Sequence, residues 1–85
     1  MELIEKTEGV LGGKARITGT RIAVVDVIEQ LKSSDARADI KEQYGLSDEE
    51  LDAVERYYRR HTDEIKELIE QRRQAYDRLI DQSKA

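Results

Sequence analysis

Apolar positions follow two different rhythms along this chain. Up to about residue 21 they come in short β-branched stretches interrupted by glycine, and from Ile22 onward they are spaced by three and four. Glu2 to Lys6 and Ala15 to Thr18 therefore predict two short strands joined through a turn at Gly9 to Lys14, a small hairpin. An isolated hairpin is barely stable, so it must lie on the helices or pair with the same hairpin of a second subunit. Val24, Val25, Ile28 and Leu31 predict a helix, with strand as the alternative because so many of these residues are β-branched. Ser33, Ser34 and Asp35 offer cap residues for a short second helix over Ala36 to Tyr44, with Ile40 and Tyr44 on one face.

The strongest local signal is Leu46-Ser47-Asp48-Glu49-Glu50-Leu51. Ser47 and Glu50 have capping-box spacing, each side chain satisfying an orphan backbone N–H at the other residue, and Leu46 and Leu51 occupy staple positions. A helix is thus predicted to start at Asp48, with Gly45 ending the previous one in the left-handed conformation. The acids of its first turn complement the positive end of its dipole. The stripe Leu51, Val54, Tyr58, His61, Ile65, Leu68, Arg72, Ala75, Leu79 then runs on by threes and fours. His61 and Arg72 interrupt it and Thr62-Asp63 can restart a helix, which predicts a break near His61 to Thr62 and a separate terminal helix to about Asp81. One unbroken helix is the alternative. The expected organisation is a hairpin-plus-helices domain over 1–61 and a partner-binding or dimerisation helix over 62–85.

Composition narrows the function. Eighty-five residues with 38% hydrophobic, 40% charged, no Trp and no Phe make one small core of aliphatic side chains and four Tyr. The absence of Cys excludes disulfides and thiolate chemistry. Met1 to Gly9 has three glutamates and no apolar run, so neither a secretory signal nor a membrane span is expected, and a cytoplasmic location follows. A net charge of −4 argues against non-specific coating of nucleic acid, although local basic patches survive that argument.

Several residue groups could carry chemistry. Helix, Gly45 corner, helix is the arrangement of a helix-turn-helix, but the would-be recognition helix opens with Asp48, Glu49, Glu50, Asp52 and Glu55, which repel phosphate. DNA binding would then fall to Arg37 and Lys41 before the corner, or to Arg56, Arg59 and Arg60 after the acidic turns. Lys14, Arg16 and Arg21 form a basic segment able to hold a phosphate or a partner's carboxylate, or to be a solvated hairpin edge; Arg21 is expected to make a structural ion pair. Gly9 to Ala15 fails as a phosphate loop, lacking both the glycine spacing and the hydroxyl residue after lysine. His61, the only histidine, suits a helix end better than a metal or catalytic site, so no enzyme activity, cofactor or metal is expected. The terminal segment gathers Ile65, Leu68, Ile69, Arg72, Tyr76, Leu79 and Ile80 along one side. So small a chain has little core left to cover this ridge, which points to docking on another protein.

The run Gly12-Gly13-Lys14-Ala15-Arg16-Ile17-Thr18-Gly19-Thr20-Arg21-Ile22 resembles the opening motif of the domain of unknown function 433 family, a VapB-type antitoxin-like group. Leu31, Ile40 to Tyr44, Leu46-Ser47 and the run from Leu51 through Tyr57, Tyr58 and His61 to Ile65 continue the likeness. Ala15 stands where that pattern has proline, Gly45 where proline often follows the tyrosine, and Ser33-Ser34 where glycine is common. The resemblance implies a mainly α fold: a three-helix, homeodomain-like helix-turn-helix preceded by a short β-hairpin, with the amphipathic C-terminal helix added. It also implies an antitoxin that neutralises a PIN-like nuclease toxin. The small core makes a homodimer the expected state, and the helix-turn-helix spacing adds autorepression through operator DNA as a further role. A stand-alone helix-turn-helix transcriptional regulator is the alternative.

Overall fold

In the computed structural model, which describes residues 3–33 and 36–83 with side chains as far as Asp81, the chain is mainly helical with a two-stranded antiparallel sheet. Strands β1 (Ile4–Glu5) and β2 (Arg16–Ile17) are followed by helices α1 (Val24–Lys32), α2 (Arg37–Tyr44), α3 (Asp48–Arg60) and α4 (Thr62–Ser83). Ile4 pairs with Ile17 and Glu5 with Arg16, so the hairpin lies where the alternation placed it, only shorter. Its connection tightens into a 3-10 turn at Leu11–Gly13. Leu11 adopts a positive φ of 52° there, a strained backbone for a residue with a γ-branched side chain, and its packing against the core offsets the cost.

The hairpin rests on the helices. Ile17 is 1% exposed within a core that also contains Val24, Val25, Val27 and Ile28 of α1, Ile40 of α2, Leu51 and Val54 of α3 and Ile65 of α4. Helix α1 is the centre of this arrangement, buried on most of its circumference, and that is why its sequence is apolar well beyond one stripe. The strand alternative for this segment fails for the same reason, since only a helix turns Val24, Val25, Val27 and Ile28 all inward against three neighbours. Its chain enters through a bridge between Ala23 and Arg16, with the Val24 N–H donating to the Ala15 carbonyl at 2.9 Å.

Helix ends follow the sequence closely except at one place. Ser47 accepts from the Glu50 N–H at 3.1 Å and the Glu50 carboxylate accepts from the Ser47 N–H at 2.9 Å, the reciprocal capping box. Gly45 ends α2 at φ 67°, a conformation that glycine adopts without the strain a Cβ would bring. Between α1 and α2 only Ser33 of the three offered cap residues is described, and it serves α1 and not α2. Ser33 closes the end of α1, its hydroxyl donating to the Gln30 carbonyl at 2.9 Å, and Ala36 precedes α2 with no side-chain cap; Ser34 and Asp35 lie outside the described residues.

The predicted break at His61 is present, and α4 is a separate helix of 22 residues. Its first half joins the body: Ile65 is fully buried, and Leu68 and Ile69 are half-buried against the core. Its last three turns extend past the other helices. The radius of gyration, 14.1 Å, exceeds the roughly 12 Å expected of a compact chain of this length, and the longest dimension is 49 Å.

Two stability measurements check this account. Ile65→Ala is expected to cost about 2–5 kcal/mol in urea unfolding, because Ile65 couples α4 to α1 and α3. Ser47→Ala is expected to cost about 1 kcal/mol through loss of the cap. An Ile65→Ala protein as stable as the parent would mean that α4 does not belong to the cooperative core.

Candidate functional site

The exposed end of α4 is a continuation of the stripe that forms the core. Ile65, Leu68 and Ile69 use that stripe up against α1 and α3, and Arg72 then replaces an apolar residue at the rim of the body. Its guanidinium donates from Nη1 to Asp26 Oδ1 at 2.6 Å and to Glu29 Oε1 at 3.2 Å. Both carboxylates belong to α1, so one arginine helps to fix the angle at which α4 leaves the core, the two hydrogens of its Nη1 serving two acceptors. Beyond it Tyr76 and Leu79 are 65% and 68% exposed, the only large hydrophobic side chains so exposed among the described residues. A cavity of about 550 Å³ between α1 and α4 leads onto this face, lined by Glu29, Lys32, Ser33, Ile69, Arg72 and Tyr76 among others.

The expected partner-binding set is therefore divided. Ile65 belongs to the core and offers nothing to a partner, and Arg72 is engaged by α1. Leu68, Ile69 and Ile80 are partly covered, and Tyr76 and Leu79 make the exposed ridge. Helical periodicity cannot show where along one stripe intramolecular cover ends. Arg72, which looked like a defect in the stripe, marks that point.

The basic residues divide as well. Arg37 pairs with Asp52 at 3.0 Å and with Glu55, and Lys41 pairs with Asp48, so both face the acidic opening of α3. Lys41 lowers the pKa of the Asp48 carboxyl by hydrogen bond and charge. These two cations neutralise the helix that follows and do not form a free positive patch. Arg56, Arg59 and Arg60 are exposed and make no ion pair with any described residue. The positive field of the α2–α3 region is thus at the C-terminal end of α3.

In the hairpin the structural ion pair is made by Arg16, not by Arg21. Arg16 bonds Glu5 Oε1 at 2.6 Å, the Thr20 carbonyl at 2.8 Å and the Thr7 hydroxyl at 3.1 Å, tying β1 to β2 and to the turn after it. That turn is the Gly19-Thr20-Arg21 element: Gly19 has φ 78°, and Thr20 Oγ1 donates to the Ile17 carbonyl and accepts from the Ile22 N–H. Thr20 and Arg16 close the turn, and Arg21 is left in solvent. Alternation along β2 sends Ile17 into the core and Arg16 to the opposite face, where it reaches its cross-strand neighbour Glu5.

A third cluster was not anticipated. The Glu64 carboxylate on α4 accepts from Lys6 Nζ at 2.5 Å and from the Tyr57 hydroxyl at 2.6 Å, joining β1, α3 and α4. Partial burial pushes the Glu64 pKa up, but Lys6 and Tyr57 outweigh it and hold the carboxyl below its ordinary 4.5. His61 stacks on Tyr57 with ring centroids 4.2 Å apart and sits at the end of α3, away from any group of three acids or imidazoles able to hold a metal among the described residues. No sequence signal links Lys6 to Glu64, 58 positions apart.

With this arrangement in place, comparison with known proteins gives the family. The family described as "Protein of unknown function (DUF433)" matches residues 4–58. This chain belongs to the DUF433 family. Among solved structures it is similar to a DUF433 member protein from Anabaena variabilis ATCC 29413, with 33% identity and a TM-score of 0.78 over 81% of this chain and 69% of that one. No curated protein matches. The DUF433 match ends at Tyr58, before α4 begins, so the exposed ridge lies outside the matched segment. Among the described residues no helix is long and apolar enough to cross a membrane.

The Lys6–Glu64–Tyr57 cluster generates a pH prediction. Glu64 has a folded pKa below its unfolded value, so its contribution is complete at neutral pH and is lost as pH falls through the lowered folded value. Glu64→Gln is expected to flatten the acid side of the stability curve below about pH 4.5 while leaving its shape near pH 7 unchanged. Urea midpoints of parent and variant at pH 3 to 7 check this, and parallel curves would remove the cluster from the account.

Proposed function

We propose that this protein is the antitoxin half of a toxin–antitoxin pair: a cytoplasmic homodimer that neutralises a PIN-like nuclease by covering it with the end of α4. The observation that carries this reading is the ridge of Tyr76 and Leu79, apolar, exposed and held out on a helix anchored by Ile65 and Arg72. An amphipathic helix of this kind binds by laying its apolar side into a partner's groove, with anchors at spacings of three and four. The mixed charges around the ridge keep it soluble when unoccupied.

The test uses the division of α4 into an anchored and a free half. A chain ending at Gln74 keeps Ile65, Leu68, Ile69 and Arg72 and is expected to stay folded. It should fail to retain the product of a neighbouring nuclease-like reading frame when the two are co-expressed. Tyr76→Ala in the full chain should weaken that complex by about 30-fold or more, as expected for an aromatic anchor. Undiminished binding by the shortened chain would refute the reading.

Arg56, Arg59 and Arg60, unpaired by described residues, favour a second role in operator binding, with the α2–Gly45–α3 corner as a homeodomain-like helix-turn-helix. Contact through the end of α3 suits this better than contact through its acidic start. Neutralising all three arginines is expected to abolish retardation of the chain's own promoter DNA, and the parent's binding should weaken steeply as salt rises. Unaltered retardation by the triple variant would refute DNA contact through this end of α3.

A further inference from the structure

Strand β1 leaves one edge of the small sheet open. Strand β2 is covered on both sides, by β1 on one and by the Ile22–Val24 segment on the other, where the Ile17 N–H donates to the Ile22 carbonyl at 2.9 Å. Just before β1 the Leu3 carbonyl accepts from the Thr18 N–H at 2.9 Å, which makes Leu3 and Thr18 a hydrogen-bonded pair. Alternation in an antiparallel ladder then turns the N–H and C=O of Ile4 away from β2. Among the described residues no further strand lies there.

Helix α3 runs beside that edge, and between the two lies a trough. Two adjoining cavities of about 410 and 460 Å³ share Ile4, Tyr57 and His61. Leu3 and Ala53 add apolar surface, and Arg56 and Arg60 stand on the α3 wall of the first cavity. The acids near it are already compensated: Glu5 by Arg16, Glu64 by Lys6. Arg56 and Arg60 have no such partner among the described residues, so the trough has a net positive wall.

We propose that this trough is a binding site for an extended, acidic segment of another protein, which adds to β1 as a new edge strand between the sheet and α3. Strand addition supplies backbone hydrogen bonds at Ile4, and alternate side chains would meet the apolar floor and the arginine wall. Charge selects this occupant over a second copy of the same edge, because self-pairing would bring two sets of Arg56 and Arg60 together. The backbone edge and apolar floor favour a peptide over a nucleic acid. The site is separate from the α4 ridge and does not depend on the antitoxin reading.

The probe is a capped hexapeptide alternating valine and glutamate, titrated into the full chain and followed by amide chemical shifts and hydrogen exchange. Expected are saturable shifts at Ile4, Tyr57 and His61 and slowed exchange of the Ile4 amide. Affinity should fall at least about tenfold when lysine replaces glutamate, when the peptide's edge-facing amides are methylated, or in Arg56→Glu/Arg60→Glu protein. That double variant alters two exposed positions, and its circular dichroism checks that it is folded. Absence of saturable shifts, equal binding of the lysine peptide, or insensitivity to amide methylation would overturn the proposal. So would protection of the Ile4 amide that rises with protein concentration alone, which would give the edge to a second copy, or stronger binding of a single-stranded oligonucleotide to the same residues.

Discussion

Everything in this molecule is arranged around the burial of α1. Nine residues are too few for a helix to hold itself together in water, and β-branched residues make it weaker still. It persists because Val24, Val25, Val27 and Ile28 are enclosed by α2, α3 and α4, with Ala15 and Ile17 of the hairpin completing the same core. Each of those elements is equally dependent: the hairpin is too small to stand alone, and α4 is fixed only along its first half, where it meets α1, α3 and β1. With no Phe or Trp, the fully buried core is aliphatic and relies on complementary shapes, and the rings of Tyr44, Tyr57 and Tyr58 pack at its margin.

Charge supplies the second constraint. The chain carries nineteen acids and fifteen Lys and Arg, and the ion pairs that matter most join elements rather than decorate one helix. Arg72 ties α4 to α1, Lys6 and Glu64 tie β1 to α4, and Arg37 and Lys41 tie α2 to α3. Exposed pairs of this kind contribute little individually. Their value here is orientation: each lies at the margin of an apolar contact and selects one docking angle among several that would bury similar area.

Much of the fold was legible because it is written in local physics. The capping box, the left-handed Gly45, the break at His61 and the hairpin are properties of a few adjacent residues, and short-range sterics and hydrogen bonding decide them. The extent of the free ridge was not legible, because periodicity marks a face and does not say what covers it. Arg16 and Arg21 are alike in composition, and only cross-strand register decides that Arg16 meets Glu5. Arg37 and Lys41 look like free cations in the sequence because their acidic partners lie on the next helix, across a corner whose angle the sequence does not state. The cluster of Lys6, Tyr57 and Glu64 needs three elements in place before it exists.

The exposed half of α4 raises the question of how a ridge so little covered by the other described residues stays helical. Three turns, about 16 Å, fall below the length at which an isolated helix is stable. The cost of an isolated helix, however, lies mostly in nucleation, and here residues 62–72 provide the nucleus on the core. Each later residue adds a backbone hydrogen bond to an existing helix and needs only favourable propagation, which Arg73, Gln74, Ala75 and Leu79 supply. Glu70 accepting from Arg73 at 2.7 Å, one turn apart, adds to it. The ridge is thus held in shape in advance, so in the complex proposed above the ordering entropy that a disordered segment loses on binding would be largely absent. On the proposed reading, the strength of the anchor at Ile65 and Arg72 would therefore govern not only the stability of the body but the affinity of a surface that begins beyond it.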